Sequence, residues 1–506
     1  MEYLVSSAQM KEYDKSTIEN TGIPSLVLME RAACVTVEEI RKRIPECSSV
    51  LVLSGCGNNG GDGFAIGRIL QEHGYMVDYV LIGSREKCSE ETEKQIQILE
   101  NMGKRINCTL PKKHYDIMID ALFGIGFSRE VTGKYREVIE YINKADSYVV
   151  SADIPSGIHA DTGAVMGNAV RANLTVTYGY RKLGLVFYPG ADYAGEQICR
   201  KIGIFWQKGL TKPEAFTYNR SNLAGIPARR NDGNKGSFGK VLVIAGSHRM
   251  YGACQFAALG AYRSGAGLVR IVTAEGNRTL LMQTVPEAII DTYERGMEQK
   301  QLELLLKEAM EWADCVVIGP GIGQEKQAVG IMKYVWENCK LPLIVDADGL
   351  NILAENEAWL LGGAAKQSPF VCFTPHMGEL SRLTKKSIKC CKENVISIAR
   401  EYAEKNHVVL AAKDARTVVA SPEGQVYINA SGDNGMATGG SGDVLTGILA
   451  GLTAQGMQGM KAVCMAVYLH GLAGNSASAK KTEYCVMAGD LLEELPALFT
   501  EGEKQK

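Results

Sequence analysis

Two consecutive α/β domains, each built on a mostly parallel sheet, are predicted for this chain, and three observations predict them. Short aliphatic runs such as Ser49-Val-Leu-Val-Leu53 and Cys315-Val-Val-Ile-Gly319 alternate with longer stretches of helical apolar spacing, a rhythm that builds parallel sheets flanked by helices. A glycine-rich loop leads into a helix in each half, at 55–63 and at 431–442. The 506 residues also exceed one typical core.

In the first half, helices are predicted over 8–20, with Met10, Tyr13 and Ile18 inward, and over 25–43. In the second of these, Leu26, Leu28, Met29, Ala32, Ala33 and Val37 would pack on a sheet. The strand 49–53 runs into Gly55-Cys-Gly-Asn-Asn-Gly-Gly-Asp-Gly63, followed by a helix over 64–74. Strand, glycine loop and helix open a Rossmann-like unit with a phosphate site at the helix N-terminus. The spacing is not G-x-G-x-x-G, and no P-loop Gly-Lys-Ser/Thr is present. Asn58, Asn59 and Asp62 add oxygen ligands that plain pyrophosphate binding would not need; the alternative is a simple turn. Further strands at 77–82, 117–120 and 148–153 place Asp120 and Asp153 at their carboxyl ends, beside Gly124-Ile-Gly126 and Pro155-Ser-Gly157. Ligands gather at such ends of a parallel sheet, although either aspartate could merely cap a helix.

The rhythm breaks between about 206 and 235, where Lys208-Gly-Leu-Thr-Lys-Pro-Glu214 and Ile226-Pro-Ala-Arg-Arg-Asn-Asp-Gly233 read as linker and entering loop. The boundary is expected near 218–225, giving domains over 1–218 and 225–500. Strands follow at 239–246, 267–273, 315–319 and 408–413, with an apolar helix over 253–265 and with Leu343-Ile-Val-Asp-Ala-Asp-Gly-Leu350 and Val371-Cys-Phe-Thr-Pro-His-Met-Gly-Glu379 continuing the α/β pattern between the last two strands. Six glycines then fall within Ser431-Gly-Asp-Asn-Gly-Met-Ala-Thr-Gly-Gly-Ser-Gly-Asp-Val-Leu-Thr-Gly447, which runs into a buried helix. Such a loop lets backbone N–H groups and the helix dipole meet a phosphate or a developing oxyanion. Asp443 falls in the first turn, as a plain N-cap or as a general base.

With 46% apolar and 22% charged residues the composition is that of an ordinary globular protein, and 55 basic against 57 acidic residues offer no general attraction to nucleic acid or anionic membrane. Fourteen cysteines show no CxxC pairs or zinc spacing, so reduced thiols in the cytoplasm are expected. The N-terminus lacks the pattern of a signal peptide, and no run approaches 18 apolar residues.

The segment Gly435-Met-Ala-Thr-Gly-Gly-Ser-Gly-Asp-Val-Leu445 resembles the ribokinase-like superfamily, and within it the ADP- or ATP-dependent NAD(P)H-hydrate dehydratases, over about 225–498. It departs from that branch at Asp433-Asn434, where Asn-Pro is usual, and at Lys413-Asp414, where Lys-Gly is usual. The resemblance implies a hydrated nicotinamide near Ala253, Gly321, Gly323, His376 and Asp443. It implies an adenine nucleotide, with magnesium, near Lys413, Asp414, Ala415, Arg416, Thr417 and Gly442. The added charge of Asp414 would stand near the nucleotide phosphates.

Asn59-Gly-Gly-Asp-Gly63, Asp120-Ala-Leu-Phe-Gly-Ile-Gly126 and Asp153-Ile-Pro-Ser-Gly157 together resemble the NAD(P)H-hydrate epimerase domain over roughly 1–215. This implies a potassium ion held by Asn59, Asp120 and Ser156. The hydrate would be bound by Asn58, Asn59, Gly60, Gly61 and Asp62, by Gly124, Ile125, Gly126, Phe127, Ser128, Arg129 and Glu130, and by Asp153, the implied acid–base group. A bifunctional repair enzyme for hydrated NADH and NADPH, using ADP and self-associating as the family does, is what both halves imply. The alternatives are a C-terminal small-molecule kinase with an N-terminal nucleotide-binding or interaction module, and a plain NAD-dependent dehydrogenase, for which the fingerprint loop is missing.

Overall fold

The computed structural model describes residues 1–505. The chain divides into two compact units, one of Tyr3–Ala215 and one running from Phe216 onward with Met1–Glu2.

The first unit holds seven parallel strands, in the order Ile106–Asn107, Met76–Leu81, Ser49–Ser54, Ile117–Ala121, Tyr148–Ala152, Leu174–Tyr178 and Glu196–Arg200. Alternation along Ser49–Ser54 sends Val50 and Val52 to one face, where helices Ser25–Arg41, Asn58–Glu72 and Glu90–Asn101 cover them. Leu51 and Leu53 go to the other face, against Val138, Ile139 and Ile142 of helix Gly133–Lys144. A strand covered on both faces has no polar side to show, hence the unbroken apolar run. From Ser49–Ser54 the chain winds to one edge, then returns through Ile117–Ala121 to the other. The connections therefore diverge between these two strands, the crevice in which doubly wound sheets bind ligands.

Two expectations for this unit are corrected. Leu26 is 37% exposed, whereas Leu28, Met29, Ala32, Ala33 and Val37 are buried as expected. The helix expected from Phe64 begins six residues earlier, at Asn58. The glycines here serve close approach: a Cβ on Gly60 would stand 1.9 Å from the Gly55 carbonyl oxygen. Asn58, Asn59 and Asp62 therefore ride on the first helical turns.

In the second unit the sheet order is Ile289–Tyr293, Leu268–Ala274, Lys240–Ile244, Cys315–Ile318, Leu343–Val345, Val371–Phe373, Val409–Ala412, Val418–Ala420 and Val426–Ile428, with Phe216 paired to Tyr427. The first seven strands are parallel; Val418–Ala420 then runs antiparallel between Val409–Ala412 and Val426–Ile428. Helices Tyr251–Arg263 and Ser441–Ala454 pack at glycine distance, since a Cβ on Gly447 would lie 2.3 Å from the Ala257 carbonyl and one on Gly451 2.6 Å from that of Ala261. This contact fixes the start of Ser441–Ala454, whose N-cap Gly440 has φ +90°. No helix among the described residues is long and apolar enough to cross a membrane.

Candidate active sites

In the first unit a cleft of about 990 Å³ opens at the carboxyl ends of the strands, where the connections diverge. Asn58, Asn59, Asp62, Asp153 and the loop residues Gly124, Ile125, Gly126, Phe127, Ser128 and Arg129 line it. Gly60, Gly61 and Glu130 do not: Gly60 faces Gly55, Gly61 faces Met29, and Glu130 lies over Gly167.

Asp120, with no exposed surface, accepts hydrogen bonds from Ser151 Oγ (2.7 Å) and the Ser156 N–H (2.9 Å). Ser156 Oγ accepts from the Phe123 N–H at 2.9 Å, and Asn59 Nδ2 donates to the Phe123 carbonyl at 3.1 Å. One carboxylate, a hydroxyl, an amide and a backbone carbonyl thus converge on one loop, a hard and weakly charged oxygen set. Burial raises the Asp120 carboxyl above its usual range, while the bonds from Ser156 and Ser151 act in the opposite direction.

Asp153 follows its strand with φ +67°, a left-handed conformation that a short polar side chain tolerates. Its Oδ1 accepts from the Lys182 ammonium, from Thr177 Oγ1 (3.1 Å) and from the Tyr178 N–H (3.1 Å). Lys182 is fully buried and also donates to Thr177 Oγ1 (2.9 Å) and the Tyr178 carbonyl (3.0 Å). Neither helix capping nor motif spacing accounts for Asp153; a buried ion pair does. Sequence reading missed Lys182, which lies in no periodic pattern, and also Asp14, a third carboxylate lining the cleft.

In the second unit, Asp346 ends the strand Leu343–Val345 and is 1% exposed. It accepts from Lys413 Nζ at 2.8 Å and Thr446 Oγ1 at 2.7 Å, so it ties the segment after Val409–Ala412 to helix Ser441–Ala454. Burial opposes the Lys413 charge, but Asp346, Glu379 and Asp443 outweigh it and hold the ammonium above its usual range. A Cβ on Gly442 would stand 3.3 Å from Lys413 Nζ, which places this cation at the loop.

Asp443 is the third residue of that helix, and its carboxyl forms no hydrogen bond with any described residue. Burial first, then Asp346 and Glu379, push its carboxyl up to about 7 against the pull of Lys413. An N-cap role is thereby excluded, since the cap position is Gly440 and no side chain bonds there.

Gly321 and Ala253 adjoin, a Cβ on Gly321 lying 3.0 Å from the Ala253 Cβ, and the Gly323 N–H donates to Asp348 Oδ2 at 2.9 Å. His376 is the N-cap of helix Met377–Thr384: its Nδ1 accepts from the Gly378 N–H at 2.9 Å, and its Nε2 lies 3.2 Å from Glu379 Oε1. Burial first, then Lys413 and Arg382, lower its pKa. Asp414 pairs with Lys392 at 3.3 Å, which offsets the charge noted in the sequence. Arg416 donates to the Gly432 carbonyl at 3.4 Å and the Thr417 carbonyl accepts from the Asn429 N–H, so residues 413–417 flank the glycine loop. Asp433 accepts from Ser478 Oγ (2.7 Å) and Asn475 Nδ2 (2.9 Å), anchoring the loop to helix Gly459–Lys481. His470, absent from the sequence reading, bonds the Ser441 carbonyl through Nε2 at 2.9 Å, and burial lowers its pKa to about 4.

A doubly wound nucleotide-type crevice in one unit, and in the other an anion-suited helix start carrying a near-neutral carboxyl, define a two-site α/β enzyme whose second unit is ribokinase-like. Family models agree, one described as NAD(P)H-hydrate dehydratase over residues 241–497 and one as YjeF-related protein N-terminus over 25–184. A bifunctional NAD(P)H-hydrate repair enzyme of Moorella thermoacetica is 37% identical over 99% of this chain and 98% of its own, and one of Escherichia coli K12 is 32% identical over 95% and 91%. A ribokinase-like superfamily protein of Enterococcus faecalis V583 superposes with a TM-score of 0.51 at 29% identity, over 59% of this chain and 99% of its own. The chain belongs to the bifunctional NAD(P)H-hydrate repair enzymes, which join an epimerase to a dehydratase.

Proposed function

We propose that residues 1–218 interconvert the two epimers of hydrated NADH and NADPH, and that residues 225–500 dehydrate one epimer at the expense of ADP, releasing AMP and phosphate. Asp443 takes the proton from the ring hydroxyl as that oxygen attacks the terminal phosphoryl group, and the N–H groups of the glycine loop stabilise the transferring charge. Phosphorylation turns a poor leaving group into a good one. The ring nitrogen lone pair then expels phosphate, forming a carbon–nitrogen double bond, and loss of a proton to solvent from the adjacent ring carbon restores the dihydronicotinamide. Lys413, held by Asp346 beside Gly442, faces the phosphates together with Arg416, while Ala253, Gly321 and His376 border the nicotinamide. Magnesium arrives on the nucleotide phosphates, as it does in phosphoryl transfer generally.

The oxygens of Asn59, Asp120 and Ser156 suit a potassium ion, which would order the loop that holds the hydrate. Asp153, bonded to Lys182, faces the substrate. The cytoplasm is the fitting compartment for such repair, and self-association accords with the family.

The observation that carries this reading is the Asp443 carboxyl, raised to about 7 and free of partners at a glycine-flanked helix start. The test is incubation with both hydrate epimers, with and without ADP, following dihydronicotinamide absorbance. ADP-dependent recovery with AMP and phosphate supports it. A stable phosphorylated product would identify a small-molecule kinase instead.

A further inference from the structure

We propose that Asp62 is the proton donor of the epimerase site, passing its proton to the ring hydroxyl of the hydrate while Asp153, bonded to Lys182, faces the cation that forms. The inference rests on the epimerase reading and adds the acid that such a reaction needs.

Asp62 rides on helix Asn58–Glu72 and lines the cleft, and its carboxyl has no hydrogen bond to any described residue. Its charged surroundings are Asp153, Asp14 and Lys182, with the Tyr178 hydroxyl near it but bonded to Thr36 Oγ1 at 2.8 Å. Asp14 in turn faces Asp153, Glu91 and Lys182. Three carboxylates thus share one ammonium, and that ammonium is paired with Asp153. Burial first, then Asp153 and Asp14, hold the Asp62 carboxyl well above its ordinary range. Two carboxyl groups in one cleft with different surroundings sort into an acid and a base: Asp62, set beside two other carboxyls and without a cation of its own, is the acid, and Asp153, bonded to the Lys182 ammonium, is the base.

The hydroxyl of the hydrate sits on the carbon next to the ring nitrogen. Asp62 protonates it, the carbon–oxygen bond breaks, and water leaves as the nitrogen lone pair forms a carbon–nitrogen double bond. The cation so formed faces the Asp153 carboxylate. Water then adds to the opposite face of the ring, Asp153 accepts the proton released, and its transfer to Asp62 restores the starting state. Nothing is oxidised or reduced, and the only co-reactant is water.

The test uses the full-length chain without nucleotide, on a single hydrate epimer. Asp62→Asn should lower epimerisation by about 10²–10⁴-fold, the scale of a lost acid, while Asp62→Glu should recover part of it. Hydrogen exchange along Leu174–Tyr178 reports that the first unit of each variant is folded, and ADP-dependent dehydration of the accepted epimer that the second unit is. The wild-type rate should fall as pH rises through the titration of Asp62, and the residual rate of Asp62→Asn should lack that limb. In oxygen-18 water each epimerised molecule should carry label. A wild-type rate in Asp62→Asn, or inversion without label, overturns the inference and leaves the epimerase reading intact. Failure of the wild type itself to epimerise would overturn that reading together with the inference.

Discussion

Asp443 and Lys182 show how far a single side chain can be read. Asp443 was legible because the glycines before it exceed what a cap requires, and the structure adds what spacing cannot give, a carboxyl near neutrality. Since the base form is required, dehydration should rise with pH through about 7 and level above it. Asp443→Asn should lower turnover about 10²–10⁴-fold and abolish that limb; near-wild-type turnover would show the base to be another group. Lys182 was not legible: a lone lysine after a strand is ordinarily a solvated surface residue, and only the return of Asp153 beneath it makes it a buried cation. Removing one partner of such a pair leaves a bare charge, so Lys182→Met should destabilise the first unit by about 3–5 kcal/mol. Hydrogen exchange along Leu174–Tyr178 would measure it, and unchanged protection would refute a structural role for the pair.

Among the elements, strands were the most legible, because runs covered on both faces must be apolar throughout. The helix start at Asn58 was not, because glycine counts against helix by propensity. Packing decides otherwise here, since only glycine lets this turn approach the Gly55 carbonyl. Helix propensity alone would have Gly60→Ala stabilise by roughly 0.5–1 kcal/mol. The 1.9 Å clash with backbone reverses the sign, and overpacking of that kind costs about 1–3 kcal/mol. Thermal unfolding of Gly60→Ala should accordingly show a lower transition for the first unit, with weaker epimerisation. A higher one would mean the glycine serves flexibility. The antiparallel pair Val418–Ala420 and Val426–Ile428 also escaped notice, being only three residues each.

For the whole molecule, the separation of motifs into two units predicts separable activities. On a mixture of epimers, Asp153→Ala should restore only the share already in the form the dehydratase accepts, then slow to the spontaneous rate of interconversion. The wild type should consume everything. Replacing potassium with a larger organic cation should reproduce the variant's time course if Asn59, Asp120 and Ser156 hold the ion. Complete recovery by Asp153→Ala at the wild-type rate would require another epimerising residue, or a dehydratase indifferent to configuration.

The left-handed backbone at Asp153 limits how this position can drift over evolutionary time. Most side chains there would pay conformational strain of about 1–2 kcal/mol, so the unstrained exits are asparagine and glycine, and each leaves Lys182 without its counter-charge. A lineage that no longer needs epimerisation therefore cannot discard this aspartate alone. It must also lose or neutralise the lysine, and the two positions should be found to change together or not at all.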